Sequence, residues 1–421
     1  MISQDNKSFG IKGIALQRIS LPLLLIFVCM TLAGIFTFIY GLNGENTIRI
    51  WRAFLVNYVW WTGISFGTLL FSALLNITNA HWGRSLKRLA EAPGTFAPVS
   101  FLLFWVLYFG KEEIFIWIRE PVPEKAAWLN PGFMFARDGI GLLLLTIVSI
   151  GIIYHSVCAD RKVLNVGSTA KPVKQDAIDT QIAKHFNAQK KLSTAYGILY
   201  AVVLSLIAFD LLMSLDPHWY SSLFGAYFFI GSFYTGLAML MILTVFAVRY
   251  MGQETSIEPS QFHDLGKLML GFCLMTGDFF YTQFFVIWYG NLPEETRYLL
   301  LRLQKSPWDH IAWTVLIVTF AVPFAVLLNR RVKMMHIPML LLSLVILAGM
   351  WVERFLLVAP ALEGGGESLC GWVEILITAG FFGIMGLCVL TFFKKYPVIP
   401  VSDPLFIASV EKKEDKIPEA I

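Results

Sequence analysis

The sequence predicts an all-α integral membrane protein with about ten transmembrane helices. Only 15% of its 421 residues are charged, whereas soluble domains average about 25%. Hydrophobic residues make up 57% of the chain and come in runs of about twenty, the length that crosses a bilayer core. Within lipid a span must satisfy its own backbone groups, so these runs are predicted to be helices. A water-soluble enzyme, a nucleic-acid-binding domain and a secreted disulfide-stabilised protein are excluded.

The charged and polar residues between the runs set the predicted boundaries. The spans are 21–42, 53–75, 93–109, 132–156, 193–215, 222–248, 264–289, 308–328, 337–360 and 372–393. The third is short and carries Pro93 and Pro98, and Pro323 predicts a kink in the eighth. Pro338 fits the first turn of the ninth.

The predicted organisation is a membrane domain with polar tails. The membrane domain covers 21–395 and contains a long polar loop at 159–192. A tail of residues 1–20 precedes it, and a tail of residues 396–421 follows. The charged composition of the second tail predicts disorder or binding to a partner.

The distribution of Lys and Arg predicts the orientation. With ten spans, both tails share a side with every second loop, and that side carries 22 Lys and Arg residues against 8 on the other. Cytoplasmic loops carry the excess of positive residues. Both termini are therefore predicted to be cytoplasmic.

Cysteine and histidine spacing predicts neither a metal site nor a bound haem. None of the five cysteines belongs to a CxxC or CxxCH motif, which argues against an iron–sulfur cluster and covalently attached haem. The seven histidines lie in loops or near span ends, so no pair is placed to ligate a b-type haem at mid-depth.

Span seven carries ionisable residues on one predicted face. Asp264, Lys267 and Asp278 are spaced so that they share that face. Asp264 and Asp278 are separated by about 21 Å along a helix. Ionisable groups at membrane depth are expected to face the protein interior, so this stripe predicts a proton half-channel. The alternative is a set of unrelated interhelical contacts.

Other polar side chains gather toward the predicted outer side of the membrane. They are Arg137, Asp138, Tyr200, Asp210, His218 and Glu353. Such a cluster suits either a site that oxidises quinol and releases protons outward or the binding site of a transporter. Arg137 with Asp138, and Glu353 with Arg354, could instead be structural ion pairs.

Three sequence stretches resemble a known family. They are SLDPHWYS at 214–221, HDLGKL at 263–268 followed by Gln283 and WYGNLPEET at 288–296, and WLNPGF at 128–133 leading into Arg137. Together they resemble the NrfD/PsrC-like integral membrane subunits of bacterial respiratory complexes. Within that group the chain is most similar to the ActF-type second subunit of alternative complex III.

The resemblance implies an architecture, a location and partners. The family fold is two four-helix bundles plus flanking helices, in the bacterial inner membrane. The complex is a quinol:electron-acceptor oxidoreductase that passes electrons to cytochrome c or directly to a terminal oxidase. Haem c and iron–sulfur clusters are carried by partners, which include an iron–sulfur/molybdopterin-like subunit, c-type cytochromes and a sister NrfD-like subunit.

The resemblance also implies roles for individual residues. Quinone or quinol is the implied ligand, with His218 and Asp210 as pocket-side or exit-side groups and Asp264, Lys267 and Asp278 as an inward proton relay. From their placement toward the outer side, Arg137, Asp138 and Tyr200 join His218 as quinone-pocket candidates, and Glu353 joins Asp210, Asp264, Lys267 and Asp278 in the predicted proton pathway. The chain would bind quinol but would need a redox partner to turn it over. A purely structural anchor of the same complex and a stand-alone secondary transporter are the alternatives.

Overall fold

Ten membrane-length helices form the body of the protein. This computed structural model describes residues 20–44, 46–168, 175–253, 256–362 and 371–408. The helices are α1 (Leu21–Leu42), α2 (Thr47–Thr78), α3 (Arg84–Phe109), α4 (Pro131–Arg161), α5 (Thr180–Leu215), α6 (Phe224–Tyr250), α7 (Pro259–Gly290), α8 (Trp308–Leu328), α9 (His336–Leu362) and α10 (Trp372–Lys395). Shorter helices cover Lys111–Ile114, Ile116–Arg119, Pro293–Leu303 and Arg330–Lys333. The predicted fold class is confirmed.

The helices are arranged as two bundles with a flanking pair. Helices α2–α5 form the first bundle and α6–α9 the second, and the bundles meet where α2 packs on α6. A Cβ on Gly236 of α6 would lie 2.5 Å from the carbonyl carbon of Gly67 on α2. Small residues allow such close approach between membrane helices. The flanking pair, α1 and α10, pack together beside α2.

The two ends of the molecule differ in what they contain. The terminal end contains the start of α1 and the end of α10, and it is the end predicted to be cytoplasmic. The opposite end contains the residues that join α3 to α4, α5 to α6 and α7 to α8. The segment after α10 lies against the terminal end, where Val398 and Asp403 are buried. Composition predicted disorder or binding to a partner for this tail, and its residues Val398, Ser402 and Asp403 are buried against the bundle.

Helix α3 begins nine residues before the predicted start of the third span. Its first turns contain Arg84, Lys87 and Arg88, which the sequence analysis counted as loop charges. All three are buried. Their charges are paired inside the bundle, so hydropathy could not identify this part of the span.

The helices also extend into the segment predicted as a polar loop. The helix that includes α4 continues to Ser168, and the helix that includes α5 begins at Gln175. Residues 169–174, which complete the predicted 159–192 loop, lie outside the described residues.

Two helices contain a π-helical turn. In α8 it covers Leu316–Ala321, directly before Pro323, where a kink was predicted. The hydroxyl of Tyr234 donates a 3.4 Å hydrogen bond to the carbonyl of Thr319 in this turn. In α5 the π turn covers Ala208–Leu212 and contains Asp210. Such turns are frequent at functional sites.

Candidate functional site

Asp210 is fully buried and lies at the centre of a cluster of side chains at the opposite end of the first bundle, in which Arg137 is half-buried and Trp128 is exposed. The Arg137 guanidinium donates two hydrogen bonds to the Asp210 carboxylate, and the distance from Arg137 Nε to Asp210 Oδ2 is 2.7 Å. Trp128 donates its indole N–H to Oδ1 at 2.9 Å. The Arg137 guanidinium also lies 3.7 Å from the centroid of the Trp128 ring. Bidentate pairing of this kind holds an ionised carboxylate in a fixed position.

Asp138 is the neighbouring carboxyl and has a different environment. It is fully buried, and among the described residues no donor group satisfies either of its oxygens, whereas the Asp210 carboxylate is close enough to share a hydrogen bond with a protonated Asp138. The charges that act on it are those of Asp210 and Arg137. A buried unpaired carboxylate is costly, whereas a protonated carboxyl is neutral. Asp138 is therefore the group in this cluster best suited to bind and release a proton.

A cavity of about 330 Å³ lies beside the Asp210 cluster. Trp128, which donates to Asp210, forms part of its wall, and Phe209 and Met213 from α5 also line it. The rest of the wall comes mainly from residues that join the helices, including Lys125, Pro217 and Tyr220. The cavity thus has mostly apolar walls, and the Arg137–Asp210 pair lies directly behind the wall that Trp128 forms.

A line of polar side chains runs along α2 inside the first bundle. Successive members are three or four residues apart in the sequence. They are Tyr58, Thr62, Ser65, Thr68, Ser72 and Asn76. All are buried. The line spans about 27 Å of helix, close to the thickness of a bilayer core. Near the Asp138 end, Thr62 shares a 2.7 Å hydrogen bond with Ser100.

The other end of this line meets a charged network at the terminal end. Ser72 donates a 3.2 Å hydrogen bond to Glu91. Glu91 pairs with Arg88, which also pairs with Asp160. All three ionisable groups are buried. A second part of the network contains Asn76, which accepts a 2.9 Å hydrogen bond from Arg84.

The segment after α10 completes this network. Asp403 accepts hydrogen bonds from Lys87 at 2.8 Å and from Arg84 at 3.1 Å. Ser402 donates its hydroxyl to Asp160 at 2.6 Å. This network was not predicted from the sequence, because its basic residues were assigned to a loop. The signal was the predicted third span, whose 93–109 run is only at the lower limit of the length that crosses a bilayer core.

The second bundle contains its own buried charge cluster. Tyr227 donates a 2.6 Å hydrogen bond to Glu353, and Arg354 lies 3.0 Å from the same carboxylate. All three side chains are buried. A chamber of about 60 Å³, which Arg302 also lines, lies against Glu353 and has room for water.

The predicted stripe on α7 does not face the bundle interior. Asp264 pairs with Lys267 at 2.6 Å, but the pair is partly exposed, and Asp278 is exposed. The buried face of α7 instead contains apolar and small residues such as Met269 and Cys273. Helical spacing correctly placed the charged residues on one side of α7, but it did not determine which side packs inward.

Comparison with known families adds an independent observation. The protein-family model described as "Polysulphide reductase, NrfD" matches residues 41–363, more than half of the chain. The chain belongs to the NrfD polysulphide reductase family. Its members are integral membrane subunits of quinone-interacting respiratory complexes and associate with other subunits such as iron–sulfur proteins. No curated protein matches this chain.

The NrfD match covers the two bundles. Helices α2–α9 fall inside 41–363, whereas α10 and nearly all of α1 fall outside. The clusters around Asp138 and Glu353 therefore lie within the matched residues. Asp403, which closes the terminal-end network, lies beyond the matched residues.

The quinone-pocket candidates occupy different environments in this NrfD-family chain. Arg137 contacts the cavity wall through Trp128, and Asp138 is buried near the Arg137–Asp210 pair. His218 is exposed. Tyr200 is buried and donates a 2.8 Å hydrogen bond to the carbonyl of Phe229. The functional roles of these residues stay predictions.

Proposed function

We propose that the chain is a membrane subunit of a quinol:electron-acceptor oxidoreductase of the alternative complex III type, and that its first bundle carries protons released from quinol. The observation that supports this best is Asp138, a fully buried carboxyl without a donor, beside the clamped Asp210. The 330 Å³ cavity at Trp128 would bind the quinol ring. Ligand pockets with mostly apolar walls and few polar groups commonly have this size.

The chemistry requires a proton acceptor and an electron acceptor. Oxidation of one quinol to quinone releases two protons and two electrons. Asp138 would accept a proton, with Arg137 and Trp128 holding Asp210 in place beside it. The electrons would pass to iron–sulfur or haem c groups of partner subunits, so the chain would not turn over quinol alone. The membrane would be the bacterial inner membrane, with both termini in the cytoplasm.

The polar line on α2 would extend the proton route across the membrane. It connects the Asp138 region with Glu91 and the charged network at the terminal end. Hydroxyl and amide side chains at this spacing can carry protons when water completes the chain. The route through Asp264, Lys267 and Asp278 remains a separate prediction, and it would run along the outside of the second bundle. The Tyr227–Glu353 cluster is a second candidate for proton exit.

The test is Asp138→Asn in the intact complex, reconstituted in liposomes. The amide keeps the shape of the side chain but cannot release a proton at working pH. We expect normal assembly and a loss of quinol oxidation of at least about 100-fold, the lower range for general acid–base catalysis. Proton release, measured with a pH-sensitive dye, should fall with it.

Asp309→Asn is the matched control, because Asp309 lies in the first turn of α8, outside the first bundle. Full turnover and full proton release in Asp138→Asn would contradict the proposal and leave the role of a structural anchor. Substrate uptake by the isolated chain in liposomes would instead indicate a secondary transporter.

A further inference from the structure

A second and larger cavity lies between α7 and α8, away from the Asp210 cluster. Its volume is about 600 Å³. Five aromatic side chains line it: Phe280, Tyr281, Phe284, Trp313 and Phe320. The exposed fractions of Tyr281 and Trp313 are 61% and 62%, so the mouth opens on the surface that a bilayer surrounds. A ligand of this cavity would enter from the lipid phase.

Asp278 is the acidic residue in the wall of this cavity. It lies near the middle of α7, and within the described part of the chain its carboxyl makes no hydrogen bond or ion pair. An ionisable group at membrane depth is costly unless a partner satisfies it. The cavity therefore presents flat apolar walls and one acceptor that needs a donor.

We propose that this cavity binds the ring of a lipid-soluble hydroquinone and that Asp278 accepts a hydrogen bond from a ring hydroxyl. The aromatic walls suit a flat ring, and the ring hydroxyl supplies the donor that Asp278 lacks. An acyl chain of a phospholipid would fill the apolar space but would leave the carboxyl without a donor. A helix of a partner subunit, about 10–12 Å across, could cover the mouth but could not enter the cavity.

The neighbouring 60 Å³ chamber at Glu353 supports a position of the ring beside Asp278. Phe280 and Phe284 line both the large cavity and the 60 Å³ chamber at Glu353. The chamber accommodates water but not a ring, so the ring would remain at Asp278. This site is separate from the 330 Å³ cavity of the proposed function and lies in the other bundle.

The experiment is photoaffinity labelling of the full chain in its native complex. The probe is an azido-substituted benzohydroquinone with a short alkyl tail, and mass spectrometry locates the labelled peptides. We expect labels within residues 274–284 and 313–320, removed by excess unlabelled hydroquinone. In Asp278→Leu the labelling of these segments should fall at least about tenfold, the effect of losing a hydrogen bond to a charged acceptor.

Gly271→Leu is the matched control. Gly271 lies two turns earlier on the same exposed face, and a Cβ there would meet no atom within 4 Å. Labelling of Gly271→Leu should equal that of the unmodified chain. Because Asp278 is exposed, Asp278→Leu should keep its thermal stability, and measurement of both variants separates a lost ligand from a lost fold.

Four results would overturn the inference. The first is equal labelling in Asp278→Leu, and the second is displacement of the probe by phospholipid as effectively as by hydroquinone. The third is a cross-link from residue 278 to a partner helix, with no labelling of the cavity. Labels confined to the walls of the 330 Å³ cavity would also overturn it but would agree with the proposed function.

Discussion

Arg88 places one buried positive charge between the carboxylates of Glu91 and Asp160. Removing the cation leaves two buried carboxylates without their main partner. Removal of one member of a buried pair typically costs about 3–5 kcal/mol. We therefore expect Arg88→Ala to lower the melting temperature of the purified chain strongly, as measured by thermal unfolding in detergent.

Arg119→Ala is the control for this prediction. Arg119 pairs with Glu113 at 2.9 Å, but both side chains are exposed. Exposed pairs contribute about 0–1 kcal/mol, so this variant should unfold close to the unmodified chain. Equal loss of stability in the two variants would contradict the importance of the buried network.

Asp403 predicts a pH dependence for the segment after α10. Burial alone raises the pKa of Asp403, but Lys87 and Arg84 outweigh burial, and the pKa lies below its ordinary value of 3.8. A group whose pKa is lowered in the folded state stabilises it above the unfolded pKa and loses that contribution as pH falls through the folded pKa. The stability difference between the unmodified chain and Asp403→Asn should be constant at neutral pH and should shrink below about pH 4. A difference that does not change with pH would show that the Asp403 charge has no part in anchoring the segment.

The sequence predicted which ionisable residues lie near the same end of the molecule better than it predicted the contacts that each of them makes. It placed Asp210, Asp138 and Arg137 near the same end, and the structure brings Arg137 and Asp210 into contact. It could not predict that Trp128 and Arg137 would satisfy Asp210 while no donor group satisfies Asp138. That outcome depends on distances between helices, which spacing along one helix does not contain.

Helix pairing is best illustrated by α1 and α10. A Cβ on Gly34 would lie 2.5 Å from the Cα of Gly380. The two backbones would have to move apart to relieve this clash. Overpacking of this kind costs about 1–3 kcal/mol. We expect Gly34→Ala to weaken the α1–α10 contact, measured as slower disulfide cross-linking between cysteines introduced on the two helices. Gly271→Ala, a substitution into open space, should not change that rate.

Apolar runs located the helices well where their surfaces face lipid or apolar neighbours. All ten predicted spans correspond to observed helices. The start of α3 was missed because its residues satisfy one another by ion pairing, which no hydropathy average detects. The polar line on α2 was also missed, although its helical spacing is visible in the sequence, because its hydroxyl and amide side chains carry no charge at neutral pH.

At the scale of the whole molecule, the charged groups of the two bundles are distributed differently. The first bundle encloses its polar line, the terminal-end network and the carboxyls of Asp138 and Asp210, whereas α7 of the second bundle presents Asp264, Lys267 and Asp278 on a partly exposed face. Charges on a membrane-facing surface are costly, so this face is expected to be covered in the native assembly or to bind a ligand. A role as part of a larger complex accounts both for the charges inside the first bundle and for the charged, partly exposed face of α7.

That role predicts what accompanies the chain when it is purified in a gentle detergent. The chain is an NrfD-family subunit, and in the proposed mechanism the redox groups belong to other subunits. The chain therefore needs partners that accept electrons. Mass spectrometry should identify iron–sulfur and c-type cytochrome subunits in the same preparation, and added quinol should produce the reduced-minus-oxidised spectrum of haem c. Harsh detergent provides the control, because it should separate the partners and abolish the response to quinol. A colourless chain that purifies alone from intact membranes would contradict the respiratory role, and liposome uptake would then test the transporter alternative.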